Sequence, residues 1–167
     1  MSDETSARLQ LPHLQPGQAQ KELYHNEALA LLDIAVQAVV LAVGQNAPPP
    51  SAALGEAWIV GTAPTDGWAG MGGAIAGRTS GGWRFVAPFE GLAVWSRADS
   101  ALARYANGAW VVGRVQGKAL IIDGDQLVGA RQAAIGSPQG GAVVDAECRT
   151  ALTSILNAMR AHGLIAP

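Results

Sequence analysis

The chain has 167 residues, of which 49% are hydrophobic and only 14% are charged, and its formal net charge is −2. Ample apolar content at low charge excludes intrinsic disorder, and the balance lacks the basic footprint of a nucleic-acid binder. So few charges on so short a chain imply that much of the surface is covered, most simply by copies of the same chain. The single Cys148 allows no intrachain disulfide.

Residues 1–17 mix polar side chains with Pro12, Pro16 and Gly17 and read as an arm without a core of its own. The next segment, 18–44, reads as helical from Asn26. Asn26 suits the N-cap, Glu27 favours the positive end of the helix dipole, and Gly44 stands where a left-handed C′ residue belongs. Leu29, Leu32, Val36, Val39 and Val43 alternate in steps of three and four, the a/d spacing of a coiled-coil seam. The neighbouring Leu31, Ala35, Ala38 and Ala42 are apolar too, so two sides of the helix are expected to be buried, one of them against another subunit. The stretch from Ala28 to Val43 is interrupted by Asp33 and Gln37 and is short for a bilayer span, so no membrane association is expected. Pro48-Pro49-Pro50 then marks a linker over 45–56.

From 57 to 135 the chain takes on β character. Short runs led by Trp58, Trp83, Trp95 and Trp110 are separated by glycine-rich turns. Residues 76–86 and 103–112 form a weak internal repeat, each reading as strand, tight turn and Trp-led strand. Asn107-Gly108 and Asp123-Gly124 are type I′ hairpin pairs. A small antiparallel meander of hairpins is therefore predicted. The last segment, 136–167, opens with an irregular loop. Asp145 then caps an amphipathic helix whose apolar stripe is Cys148, Leu152, Ile155 and Met159, extended by His162. Gly163 and Leu164 predict a Schellman ending. The expected class is thus α+β: an N-terminal helix, a β-hairpin domain and a C-terminal helix, with oligomer contacts through the two stripes.

Trp58, Trp83, Trp95 and Trp110 lie inside strand patterns and are expected to fill a thin core. Trp68 sits in a glycine-rich loop and is the candidate for stacking on a sugar ring. No enzyme constellation emerges. His13, His25 and His162 are scattered without metal-ligand spacing. Asp123-Gly124-Asp125 lacks the other positions of a calcium loop. Glu56, Asp66, Glu90 and Asp99 show no pairing suited to glycoside hydrolysis. Gly70-Met71-Gly72-Gly73 lacks the lysine of a phosphate loop, and no Gly-x-Ser-x-Gly elbow is present. A non-enzymatic protein without metal or cofactor is expected.

Several motifs carry a resemblance. Gln18-Ala19-Gln20-Lys21, Asn26-Glu27-Ala28-Leu29 and Leu32-Asp33 resemble the opening of a family of phage and gene-transfer-agent fibre or spike proteins of alphaproteobacteria. Residues 55–61, 67–70 and 82–88 are similar to that family in order and spacing. So are Val128-Gly129-Ala130-Arg131-Gln132, Asp145-Ala146-Glu147 and the ending from Arg160 to Ile165. The N-terminus has no basic region followed by an apolar run, so no secretory signal is expected, and the resemblance implies a component of a phage-like particle assembled in a bacterial cytoplasm. It also implies a role as a head-spike base or fibre adaptor. Its expected partners are its own copies, three being preferred and five being natural at a capsid vertex. A capsid or tail protein would be held through the N-terminal arm, alongside a longer fibre, with host capsular polysaccharide as a further expected ligand.

Overall fold

The computed structural model describes residues 4–15, 17, 21–143 and 145–167. Parts of the expected arm and of the first resemblance motif, at 1–3, 16 and 18–20, lie outside the described residues, as does 144. The architecture is α+β and divides into two compact units, 1–114 and 115–167.

The first unit begins with residues 4–15, which do not run free as an arm. Ser6 and His13 donate to the carbonyls of Leu11 and Glu4, folding the segment back on itself. The result is pinned to helix α1, Lys21–Ala35. Asp33, only 5% exposed, is the anchor. Its carboxylate accepts from the Ser6 hydroxyl at 2.9 Å and from the backbone N–H groups of Arg8 and Leu9 at 3.0 and 2.5 Å. The Arg8 guanidinium donates to the carbonyls of Asp33, Val36 and Gln37, groups that the end of a helix leaves without partners.

That cap closes the helix earlier than the a/d spacing predicts. Asn26 is not an N-cap but an internal residue, whose side-chain amide clasps the backbone N–H and carbonyl of Leu14 at 2.9 and 3.0 Å. Gln37, at φ +47°, takes the left-handed position expected of Gly44. Beyond it the chain is extended, in strands β1 (Val39–Val40) and β2 (Val43–Gln45). The physical reason lies in the residues. Val36, Val39, Val40 and Val43 are β-branched and favour strand, and a short run apolar on both sides fits a buried strand as well as a buried helix. Leu29, Leu32, Val36, Val39 and Val43 therefore do not form one helical seam.

Two four-stranded sheets follow. One has the order β2-β3-β4-β5, with β3 at Ala57–Val60, β4 at Ile75–Thr79 and β5 at Gly82–Val86. The other has the order β1-β6-β7-β8, with β6 at Ala93–Ser96, β7 at Ala101–Ala106 and β8 at Ala109–Val112. Each sheet is a three-stranded antiparallel meander, as predicted, with one short strand added in parallel. β2 pairs with β3 and β1 with β6. The internal repeat corresponds to the β4–β5 and β7–β8 hairpins. Asn107 and Gly108, at φ +53° and +78°, make the predicted turn between β7 and β8.

The 45–56 segment does not separate domains. It crosses between the parallel neighbours β2 and β3, a connection that needs about a dozen residues, and it is tied down at both ends. Asn46 accepts from Ala63 and Thr65, and Gly55 donates to Arg78.

Two apolar clusters hold the first unit together. Ile34, Ala38, Val40, Ala57, Ile59, Ile75, Leu92, Val94 and Ala103 form a core fed by both sheets and by α1. On the opposite face of the β2–β5 sheet, Trp58, Val60, Trp68 and Ala76 form a second cluster with Trp83 and Phe85 packed on it. Because one core lies on each side, all four β3 residues are buried. The helix closes tightly on the sheet at Gly77, where a Cβ would sit 2.5 Å from Ile34. Arg84 on β5 and Glu27 on α1 form an ion pair at 2.7 Å.

The second unit contains the hairpin of β9 (Leu120–Ile122) and β10 (Asp125–Val128) and the helix α2 (Ala146–Ala161). Asp123-Gly124 makes the predicted turn, with φ of +52° and +88°. Asp145 caps α2 by accepting from the Cys148 N–H at 2.8 Å. Leu164 and Gly163 donate to Met159 and Arg160, completing the predicted Schellman ending. The β-character expected over 57–135 is thus split between the two units.

Candidate interaction surfaces

Trp68 and Trp95 exchange the roles that their sequence positions suggest. Trp68 ends a short 3-10 turn, Asp66–Trp68, and its side chain is 0% exposed. Its ring centroid lies 5.1 Å from that of Trp83 and 6.2 Å from that of Trp58, in edge-on and tilted contact. With both faces enclosed it cannot stack on a sugar, so the predicted sugar contact is corrected to a core residue. The reason is that the other face of a thin sheet needs a cover, and the loop folds its one large ring onto it. Trp58 is a core residue as predicted, and Trp83, half-buried, packs against the same cluster. Trp110 is half-buried against Tyr105 and donates from Nε1 to the Gly73 carbonyl at 2.8 Å.

Trp95, predicted to be core, faces out and is 46% exposed. Its position follows from the alternation of β6, where Val94 and Ser96 point inward and Ala93 and Trp95 outward. In the sheet, Trp95 is the direct cross-strand partner of Val39 on β1 and of Leu102 on β7. These two are 38% and 48% exposed, so the three form one apolar row across three strands. With strands about 4.8 Å apart, the row spans roughly 10 Å of flat surface. Residues Ala93, Arg104 and Val111 make the adjacent row. Val39, predicted to lie in a helical seam, thus has an exposed position on a sheet instead.

The other members of that expected seam are dispersed. Leu29 is half-buried and Leu32 exposed on α1, Val36 is exposed in the turn after it, and Val43 is half-buried in β2. The C-terminal stripe keeps its predicted form. Cys148, Leu152 and Ile155 are exposed along α2 and Met159 is half-buried, while Leu156, one position from the stripe, is buried. On β9 and β10 every strand residue is exposed, including Leu120, Ile121, Ile122, Leu127 and Val128.

The carboxylates of the β region serve local structure. Glu56 accepts from the Ala53 N–H, Glu90 from the Asn107 N–H and Asp99 from the Ser96 hydroxyl. Among the described residues no three His, Cys, Asp or Glu side chains converge as a metal site would require.

Two linked sheets share one core with a helix packed against it, and no catalytic constellation accompanies them among the described residues. The chain belongs to the family described as protein of unknown function DUF2793, which matches residues 25–111. The match covers most of α1 and both sheets and ends within β8, leaving the second unit outside it. No curated protein matches the chain.

Proposed function

We propose that the protein is a non-enzymatic, homo-oligomeric component of a phage-like particle or gene transfer agent. It would serve as a head-spike base or fibre adaptor on the particle surface, holding a longer fibre and supporting attachment to the host envelope. The motif resemblance supports the particle assignment. The observation that carries a docking role is the row Val39–Trp95–Leu102, where three large apolar side chains stand in register on an open sheet face. An apolar row in this arrangement is a surface made to be covered by another protein. The folded-back segment 4–15 shifts the proposed attachment point from a free arm to the body itself.

The test is made on purified particles. Mass spectrometry should detect the protein in them, and deletion should remove a projection seen by electron microscopy. The Trp95→Asp variant should keep the thermal stability of the wild type yet be lost from the particles. Particles that lack the wild-type protein, or that incorporate Trp95→Asp normally, would refute the assignment.

A second reading, recognition of capsular polysaccharide, is favoured by the exposure of Trp95, whose flat ring can stack on a pyranose. In that case Trp95→Ala should abolish retention on a capsule-coated matrix, while unchanged retention would remove the site.

A further inference from the structure

We propose that residues 115–167 are a self-association module whose order depends on other copies of the same segment, with α2 packed along α2 helices of at least two neighbours. The inference rests on the homo-oligomeric part of the function proposed above and is independent of the particle assignment.

Three observations converge on this. The first is the lack of an internal core. Among the described residues of this unit, only Leu156 and Ile165 are buried apolar side chains. A segment of this size usually needs a staple such as a metal, disulfides or oligomerisation. Its sole cysteine is free. Neither of its elements holds itself up, since an isolated two-stranded hairpin and a helix of 16 residues are both marginal in water.

The second observation is the quality of the individual parts. Asp145 caps α2, the Schellman ending closes it, and Asp123-Gly124 makes a regular hairpin turn. Local structure this well specified distinguishes the segment from a disordered tail. Order without a core calls for a partner surface.

The third observation identifies the occupant. Cys148, Leu152, Ile155 and Met159 follow steps of four, three and four, which places Leu152 and Met159 at a positions and Cys148 and Ile155 at d positions. A seam with this spacing is self-complementary, since knobs from one copy fit the holes of the next. Leucine at a with isoleucine at d shifts a coiled coil from two strands to three or four. Leu156 sits beside the seam and is the helix's buried residue, so the seam itself is left for the neighbours. The apolar hairpin strands Leu120–Ile122 and Asp125–Val128 add surface for the same contact.

The experiment uses the full chain. Native mass spectrometry of the wild type should give trimers or tetramers. A bismaleimide should link Cys148 to Cys148 and yield covalent dimers on a denaturing gel, and Cys148→Ser should yield none. Leu152→Asp with Ile155→Asp should lower the oligomer to a monomer and abolish the cross-link. Hydrogen exchange in 120–128 and 146–161 should then rise by at least about 100-fold, while 57–112 stays protected and reports that the body remains folded. A wild-type monomer would overturn both this inference and the homo-oligomeric reading. An oligomer that persists with its cross-link in the double variant would overturn this inference alone. A heterologous protein bound at the seam of a monomer would overturn it as well.

Discussion

Replacing Trp68 by alanine should destabilise the first unit by about 3–5 kcal/mol, the range for removing a large aromatic from a core. The expected melting temperature falls by more than about 10 °C, read by near-UV circular dichroism and differential scanning calorimetry. The size of the effect follows from position. Trp68 is completely enclosed and touches Trp58 and Trp83, so its removal leaves a void in the cluster that covers this face of the sheet, where its ring is the largest fully buried side chain. Trp68→Phe should cost much less. Among the described residues the buried Nε1–H of Trp68 has no hydrogen-bond partner, and phenylalanine removes that uncompensated donor while keeping most of the ring. Equal stability for Trp68→Ala and the wild type, with selective loss of sugar binding, would restore Trp68 as a ligand-contacting residue. The contrast with Trp95, whose loss should leave stability nearly unchanged, separates the buried ring from the presented one.

The second large effect is expected at Asp33. Asp33→Ala should lower stability by roughly 3 kcal/mol and release the segment 4–15 from α1. The carboxylate accepts from one hydroxyl and two backbone N–H groups. Buried donors left without a partner cost about 1–3 kcal/mol each, although those nearest the surface recover part of this from water. Hydrogen exchange at Arg8 and Leu9 and proteolytic cleavage within 4–15 should both accelerate strongly, while the sheets retain protection. Arg8→Met should show a milder version, because it removes the guanidinium cap from the end of α1 but leaves the Asp33 contacts to the backbone in place. Unaltered exchange at Arg8 and Leu9 in Asp33→Ala would show that the segment is held by something else.

Local chemistry was the legible part of this fold. The hairpin turns at Asn107-Gly108 and Asp123-Gly124, the Asp145 cap and the Schellman ending are set by residues within a few positions of one another, and each is found where its pattern predicts. The α2 stripe was legible for the same reason. The helix boundary near Ala35 was not, because it depends on Arg8, far away in sequence, and on valines whose spacing suits two kinds of structure. The parallel pairings of β1 and β2 were hidden too, since two- and three-residue strands carry no periodicity of their own. The exposure of Trp68 and Trp95 was inverted through a reasonable generalisation. A tryptophan in a glycine-rich loop looks available and one in a strand looks buried, yet only the three-dimensional supply of covering groups decides. One signal was present: Leu102 and Trp95 fall on the outward alternation of their strands, opposite Val94 and Ala103.

The short stretch from Ala38 to Gln45 hydrogen-bonds to β6 through its first half and to β3 through its second. It works as a shared hem between the two meanders. Each meander can form from neighbouring residues, but the hem joins partners as far apart in the chain as Val39 and Trp95. Such distant closure is the slow event in folding. It also removes the independence of the sheets, since neither can fray without pulling on the strand that edges the other. A molecule built this way should unfold its body in a single step and resist force applied at either meander.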